Sequence, residues 1–203
     1  MPDQSGYERA ANDWYVEEPW CVHLLINYMQ WAKDCPIHDP CCGMGTIPSA
    51  FRAHGIPATG TDLVDRGFGD GHGEAYDFQS ENYDTSVFRQ AGGIVSNPPF
   101  VLADGFIRFA LVQKPRDTCV LLPSGWGHAA GTDKERSRHT WLRSLPLKLE
   151  LKIGPRPSMP PGKSILQGVR PGGGKGDMSW WIFEKGYKGR PEFDWLTRID
   201  TIG

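Results

Sequence analysis

The sequence predicts an α/β fold built on a doubly wound, mostly parallel sheet. Three observations support this class. Short apolar segments alternate with helical segments along most of the 203 residues. Glycine-rich or proline-rich turns follow several of the apolar segments. The segment at 93–96 carries no charge, which is typical of a parallel strand buried on both faces. We therefore expect a single domain over residues 1–203.

The predicted elements of the first half begin with a helix from Pro19 to about Ala32, after an irregular polar segment. Proline suits the first helical position, and the many apolar side chains behind it predict a helix that lies against the sheet. The next predicted elements are a strand at 36–39, a helix at 46–54, a strand at 58–62, a short strand near Ala75 and a strand at 93–96.

The second half continues this alternation. A long glycine- and proline-rich segment without hydrophobic periodicity lies at 154–178. Loops of this length inside a compact domain are usually functional, so we expect a substrate-recognition element there. The other predicted elements are a helix at 104–113, a strand at 118–122, a basic helix at 132–145 and strands at 148–153 and 179–184.

The overall composition narrows the function classes. Hydrophobic residues make up 39% of the chain and charged residues 23%, which is typical of a folded domain. The net charge of -2 does not indicate a nucleic-acid binder, although it is compatible with one basic face. We expect no secretory signal, no membrane span and no metal site, because the chain lacks long apolar segments and metal-ligand spacings. The five cysteines predict reduced thiols in a cytoplasmic protein.

The first candidate site is the turn D-P-C-C-G-M-G-T at 39–46, between a predicted strand and a predicted helix. Gly43 and Gly45 allow a sharp turn and let a ligand approach the backbone. In an open α/β sheet, ligands bind beyond the carboxyl ends of the strands. Asp62 ends the next predicted strand, where its carboxylate can accept both hydroxyls of a ribose. Asp77 follows the short third strand, where it can accept a hydrogen bond from an adenine amino group.

A glycine turn of this kind is often purely structural, and similar turns occur in dinucleotide-binding proteins. The spacing here is G-x-G-T rather than the dinucleotide pattern G-x-G-x-x-G. Asp39, at the start of the turn, would repel a pyrophosphate but attract an ammonium group such as that of a methionine moiety. The charge therefore favours S-adenosylmethionine over a dinucleotide as the cofactor.

The second candidate site is N-P-P-F at 97–100, at the end of a predicted strand. Pro98 and Pro99 stiffen the turn and remove two N–H donors. The Asn97 side-chain oxygen and the Pro98 carbonyl can accept the two N–H groups of an aromatic amine and turn its lone pair toward a methyl donor. Phe100 offers a ring on which an unpaired base can stack. Alone, the pattern fits a rigid turn with a packed ring, but the upstream turn favours the functional interpretation.

In this order, D-P-C-C-G-M-G-T, Asp62, Asp77 and N-P-P-F resemble the motifs of the class I S-adenosylmethionine-dependent methyltransferases that modify N6 of adenine or N4 of cytosine. The resemblance covers about residues 14–126 through motifs and the rest through strand order. From Arg156 to Tyr187 the chain is similar to small phage- or prophage-type adenine methyltransferases. The resemblance implies a single-domain, Rossmann-like, seven-stranded sheet whose last strand is antiparallel.

The resemblance also implies the roles of the site residues. The turn at 39–45 would hold the methionine end of the cofactor, Asp62 its ribose and Asp77 its adenine. The segment 97–100 would form the catalytic clamp on the target base, and segment 13–19 looks like the upstream cofactor-contact motif. The expected cofactor contacts are Trp14, Tyr15, Asp39, Pro40, Cys41, Gly43, Gly45, Thr46, Asp62, Leu63, Asp77 and Asn97.

One departure from the family concerns substrate recognition. We expect none of the sizeable recognition domains that many DNA enzymes of this group carry, so the basic helix and the long loop are the candidates for phosphate contacts. We expect DNA to be the polymer that carries the target base. We expect the protein to be a monomer or a homodimer. RNA, a protein glutamine amide and a non-catalytic cofactor-binding role remain alternatives. The expected substrate contacts are Phe100, Arg136, Arg138, Arg156, Lys163, Arg170 and Lys175.

Overall fold

Seven strands form one sheet in the computed structural model, which describes residues 14–128, 138–170 and 172–198. The strands are β1 (Ile37–Asp39), β2 (Ala58–Gly60), β3 (Gly93–Ser96), β4 (Asp117–Pro123), β5 (Leu147–Gly154), β6 (Met178–Glu184) and β7 (Glu192–Thr197). The helices of the described residues are α1 (Pro19–Met29), α2 (Thr46–Ala53), α3 (Ala103–Val112), α4 (Arg138–Leu142) and α5 (Gly162–Leu166).

The strand order across the sheet is β2-β1-β3-β4-β6-β5-β7. β6 is antiparallel to both of its neighbours, and every other pairing is parallel. This arrangement confirms the predicted α/β class. The antiparallel strand is also the last one that the sequence analysis identified, at 179–184.

Both faces of the sheet are covered by helices. On one face, α1 and α2 share a buried cluster with Cys119 and Leu121 of β4. On the other face, α3 and α4 share a cluster with Val120 and Leu122 of the same strand. Successive side chains of a strand point to opposite faces, which explains this division. The parallel strands β1, β2 and β3 therefore end together at one edge of a well-buried sheet.

The predicted strand near Ala75 is wrong. Glu74–Tyr76 form a short 3-10 helix, which begins after Gly73 with a φ of 102° and ends at Asp77. The seventh strand is instead β7, which pairs with β5 at the edge of the sheet. Its sequence E-F-D-W-L-T alternates polar and apolar residues, so a signal for this strand was available.

Two further predictions need adjustment. The basic helix predicted at 132–145 is represented by the shorter α4, and residues 132–137 lie outside the described part of the chain. The long loop at 154–178 contains the short helix α5. Within the described ranges, every helix is too short or too polar to cross a membrane.

Candidate active site

A cavity of about 350 Å³ opens where β1, β2 and β3 end. Its wall combines the segments that follow these strands with residues 14–17 and 76–79. The segments come together because the carboxyl ends of parallel strands share one edge of the sheet. Among the expected cofactor contacts, those that line the cavity are Trp14, Tyr15, Pro40, Cys41, Gly43, Thr46, Asp62, Leu63, Asp77 and Asn97.

The turn between β1 and α2 depends on its two glycines. Gly43 and Gly45 have φ angles of 53° and 79°, in the left-handed region that favours glycine. Gly45 caps the N-terminus of α2, and a Cβ atom on it would lie 1.8 Å from the Phe68 ring. Gly45 shapes the turn and is not among the residues that line the cavity, so its contact with a cofactor stays a prediction.

Asp39 is buried beneath the same turn. Its Oδ1 accepts hydrogen bonds from Cys41 N at 3.1 Å and from Ser96 Oγ at 2.6 Å. Burial raises the pKa of Asp39, and the nearby carboxylates of Glu17 and Asp62 raise it further. Asp39 is also outside the cavity lining. It supports the turn through its hydrogen bond from Cys41 N, and its direct contact with a cofactor stays a prediction.

Asp62 connects the turn to the next loop. Its Oδ2 accepts from Gly43 N at 2.9 Å, and its Oδ1 accepts from Val64 N at 2.9 Å. Arg66 donates to the same Oδ1 at 2.5 Å, and its guanidinium lies 4.4 Å from the centre of the Trp14 ring. Arg66 lines the cavity and was not predicted, because it lies in a loop where no periodic pattern links it to Asp62.

Asp77 lies on the opposite wall of the cavity. It follows the 3-10 helix rather than a strand, and its Oδ1 accepts from Gln79 N at 2.9 Å. Tyr76, Phe78 and Gln79 line the cavity beside it. Asp77 thus lines the cavity together with two aromatic residues, and its contact with a cofactor adenine stays a prediction.

Asn97 has a defined amide orientation at the cavity wall. Its Nδ2 donates to the Tyr15 carbonyl at 2.9 Å and to Glu17 Oε2 at 2.8 Å. Because a backbone carbonyl only accepts, the nitrogen must be the amide atom that faces Tyr15. Both amide hydrogens are thereby used, and Oδ1 is directed away from these partners.

The rest of the predicted clamp is divided between cavity and core. Pro99 lines the cavity, whereas Pro98 is buried and lies outside the lining. The Phe100 ring is also outside the lining and packs against both core clusters. It is parallel to the Tyr15 ring, with an interplanar angle of 5° and centroids 6.0 Å apart. Phe100 therefore stacks on Tyr15, and Tyr15 in turn lines the cavity.

Glu17 lies in the predicted cofactor-contact segment 13–19, but the sequence analysis did not single it out as a site residue. Its side chain is only 8% exposed, yet it lines the cavity next to Asn97. Burial raises the pKa of Glu17, while hydrogen bonds from Asn97 and Thr46 oppose that shift. The available signal was two consecutive acids before Pro19 in an otherwise aromatic segment. With Asp39 and Asp62, Glu17 makes this side of the cavity acidic.

The long loop packs on the cavity wall at the segment 14–18. Val16 N donates to the Pro160 carbonyl at 2.9 Å, and Gly162 N donates to the Trp14 carbonyl at 3.0 Å. A Cβ atom on Gly162 would lie 2.1 Å from the Trp14 ring. Ser158 N donates to Glu18 Oε2 at 2.7 Å. The loop is thus attached to the residues on either side of Tyr15 and Glu17, the two hydrogen-bond partners of Asn97.

The residues predicted to contact phosphates lie in different parts of the structure. Arg138 pairs with buried Asp104, so its guanidinium is already engaged within the fold. Arg156 pairs with Asp177 at 2.7 Å on the exposed part of the loop. Lys163, Arg170 and Lys175 are exposed, and Arg136 lies outside the described residues. The described residues contain no group of three or more His, Cys, Asp or Glu side chains that could hold a metal ion.

No protein-family model matches the chain, and a comparison with curated protein sequences finds no match. Several solved structures are similar in three dimensions. A type I restriction-modification methyltransferase subunit from Streptococcus thermophilus aligns with a TM-score of 0.62 and 12% identity, over 93% of this chain and 48% of that chain. A putative class I S-adenosylmethionine-dependent methyltransferase from Listeria monocytogenes aligns with a TM-score of 0.54 and 16% identity, over 87% and 62%.

The fold is that of the Rossmann-like methyltransferases. A putative RNA methyltransferase from Pyrococcus horikoshii shares it too, with a TM-score of 0.53 and 12% identity, over 82% of this chain and 83% of that chain. At these identities the likeness establishes the fold alone. This chain spans about half the length of the restriction-modification subunit. Chemistry and substrate must therefore be argued from the cavity itself.

Proposed function

We propose that this chain is an S-adenosylmethionine-dependent methyltransferase that methylates the exocyclic N6 amine of adenine in DNA. The observation that supports the proposal most is the orientation of Asn97. Its two amide hydrogens are bound by Tyr15 and Glu17, which leaves Oδ1 as an acceptor at the wall of an acidic cavity. An acceptor in that position is what an aromatic amine requires.

The cavity suits a cationic cofactor. S-adenosylmethionine carries a sulfonium and an ammonium group and supplies an electrophilic methyl group. Glu17 and Asp62 line the cavity and Asp39 lies beneath it, whereas Arg66 offsets only Asp62. A cationic cofactor would favour the ionised form of these buried carboxyl groups, whereas the phosphates of a dinucleotide would oppose it. The turn at 41–45 would hold the methionine moiety, Asp62 would face the ribose and Asp77 the adenine.

The residues at 97–100 would prepare the target amine. An exocyclic amine is a poor nucleophile because its lone pair is delocalised into the ring. Hydrogen bonds from its two N–H groups to Asn97 Oδ1 and the Pro98 carbonyl would draw the lone pair out of that delocalisation and direct it toward the methyl group. Tyr15 lines the cavity and stacks on Phe100, so this pair of rings would offer aromatic surface to the base.

Three exposed cations support a nucleic-acid polymer as the acceptor. Lys163, Arg170 and Lys175 lie on the long loop, and that loop packs on the cavity wall at Trp14 and Val16. Cations held next to a base-binding cavity are positioned to contact phosphates on either side of an extruded base. DNA is the proposed polymer. An RNA base or a protein amide would use the same acceptors at 97–98.

Transfer of labelled methyl groups tests the proposal. The full chain is incubated with labelled S-adenosylmethionine and, in parallel, with unmethylated DNA, RNA and a protein extract, and nucleosides are identified by mass spectrometry. We expect N6-methyladenine from DNA. Label in RNA or protein alone would replace the proposed substrate, and no label together with no cofactor binding by calorimetry would contradict the function.

Substitution of Asn97 tests the clamp. Removing Oδ1 by Asn97→Ala should lower kcat by about 100-fold or more, because a transition-state acceptor is lost. Asn27→Ala, on the exposed surface of α1, is the matched control. Full activity in Asn97→Ala would show that the proposed clamp does not operate.

A further inference from the structure

Glu17 occupies an unusual position for a carboxylate. It is almost completely buried, it lines the cavity, and its Oε2 lies 2.8 Å from Asn97 Nδ2. Burial of a carboxylate is unfavourable unless hydrogen bonds compensate for the lost water. The hydrogen bond from Asn97 Nδ2 supplies such compensation.

The oxygen and nitrogen of an asparagine amide have nearly the same size, so packing alone does not distinguish its two orientations. In the observed orientation, Nδ2 donates to the Tyr15 carbonyl and to Glu17. In the reverse orientation, Oδ1 would meet two acceptors at less than 3 Å, one of them a carboxylate, and the cavity would face two donors. The Tyr15 carbonyl and Glu17 therefore both disfavour the reverse orientation, and Glu17 is the partner whose side chain can be changed.

We propose that Glu17 is a positioning residue, whose carboxylate holds the Asn97 amide so that Oδ1 faces the target amine. The inference rests on the proposed function for its substrate. The hydrogen bond itself belongs to the protein without any ligand. The carboxylate also adds negative charge where a cationic cofactor would bind, so its removal affects two separable quantities, namely kcat through Asn97 and cofactor affinity through charge.

The first experiment reads the amide directly. In ¹⁵N-labelled protein without ligand, the side-chain NH₂ signals of Asn97 are assigned by their loss in Asn97→Asp. We expect both protons to be protected from exchange with solvent in the wild type, and one to lose at least about 10-fold of its protection in Glu17→Leu, where the acceptor is absent. Unchanged protection in Glu17→Leu would overturn the proposal.

The second experiment is a double-mutant cycle on methyl transfer. Glu17→Leu should lower kcat by about 100-fold in the wild type and by less than about 3-fold in Asn97→Ala, because a residue that acts through Asn97 has nothing to position there. Glu17→Gln, which keeps an acceptor oxygen, should restore most of kcat while binding S-adenosylmethionine about 10-fold more weakly. Equal losses in both backgrounds would overturn the proposal.

The controls separate this inference from the proposed function. Glu81→Gln removes one carboxylate on the exposed surface outside the cavity and should leave kcat and cofactor affinity unchanged. Circular dichroism and thermal unfolding show whether Glu17→Leu is folded. If the wild type methylates no acceptor, the proposed function fails, and the amide-exchange result still decides whether Glu17 holds Asn97.

Discussion

Two arginine–aspartate pairs in different parts of the molecule have nearly the same local structure. Arg66 pairs with Asp62 at 2.5 Å and Arg138 pairs with Asp104 at 2.8 Å, and all four side chains are about nine-tenths buried. Each guanidinium also lies over a tryptophan ring, 4.4 Å from the centre of Trp14 and 4.7 Å from that of Trp126. Their local geometry alone would assign both pairs the same role.

Their surroundings separate them. Arg138 bonds Asp104 through two nitrogens and also donates to the Trp126 carbonyl at 2.7 Å, between two helices and the core. Asp62 faces the cavity and also accepts backbone hydrogen bonds from Gly43 and Val64. The Arg138–Asp104 pair is thus enclosed by the fold and is called the closed pair, whereas the Arg66–Asp62 pair borders a space that a ligand can enter and is called the cavity pair. A buried ion pair therefore indicates a site only when a cavity adjoins it.

Breaking the closed pair should give the largest effect. Arg138→Met leaves the Asp104 carboxylate buried without its guanidinium, and should lower the free energy of unfolding by about 3 kcal/mol or more. Urea unfolding followed by tryptophan fluorescence measures this, with Arg89→Met on the exposed surface as the control. A loss below about 1 kcal/mol would mean that the two pairs do not differ in the way described.

His38 sharpens the comparison because it is buried with hydroxyl partners, from Thr59 and Thr61, instead of an ion partner. Burial lowers the pKa of His38 to about 4 from an ordinary 6.5. Between these values the unfolded chain binds more protons, so stability falls as the pH drops below 6.5. Wild type should lose roughly 2 kcal/mol more than His38→Asn between pH 7 and pH 5. An equal loss of unfolding free energy in wild type and His38→Asn between pH 7 and pH 5, measured by urea unfolding, would contradict this.

Gly162→Val tests the contact between the long loop and the cavity. The valine side chain would overlap the Trp14 ring, and the Arg66 guanidinium lies over that same ring. We therefore expect about 10-fold weaker binding of S-adenosylmethionine, measured by calorimetry. Gly173→Val, in the same loop with open space around its Cβ position, is the matched control. Equal affinities of the two variants would show that the loop does not influence the cavity.

Arg66→Met should have the smallest effect on stability. Asp62 keeps its hydrogen bonds from Gly43 N and Val64 N and borders the open cavity, so we expect a loss of only about 1 kcal/mol in the free energy of unfolding. The measurement is made beside Arg138→Met. A loss as large as that of Arg138→Met would remove the distinction between the closed pair and the cavity pair.

The elements that were predicted correctly from the sequence are those with a clear local pattern. The glycine turn at 39–46, the strand before N-P-P-F and the helix that begins at Pro19 all lie where they were predicted, because each depends on neighbouring residues. The strand predicted near Ala75 is absent. The apolar segment there is short, and the turn at Gly73 leads into a 3-10 helix instead of a strand.

Amino-acid order alone determined the alternation of strands and helices and the candidate turns, since backbone sterics and hydrophobic periodicity act over a few residues. Tertiary structure decided which polar groups meet. It brought Glu17 to Asn97, assigned Arg138 to Asp104 and placed Asp39 beneath its own turn. Charged and amide groups carry no periodic signal for a distant partner, and burial forces them to pair only after the chain has folded around them.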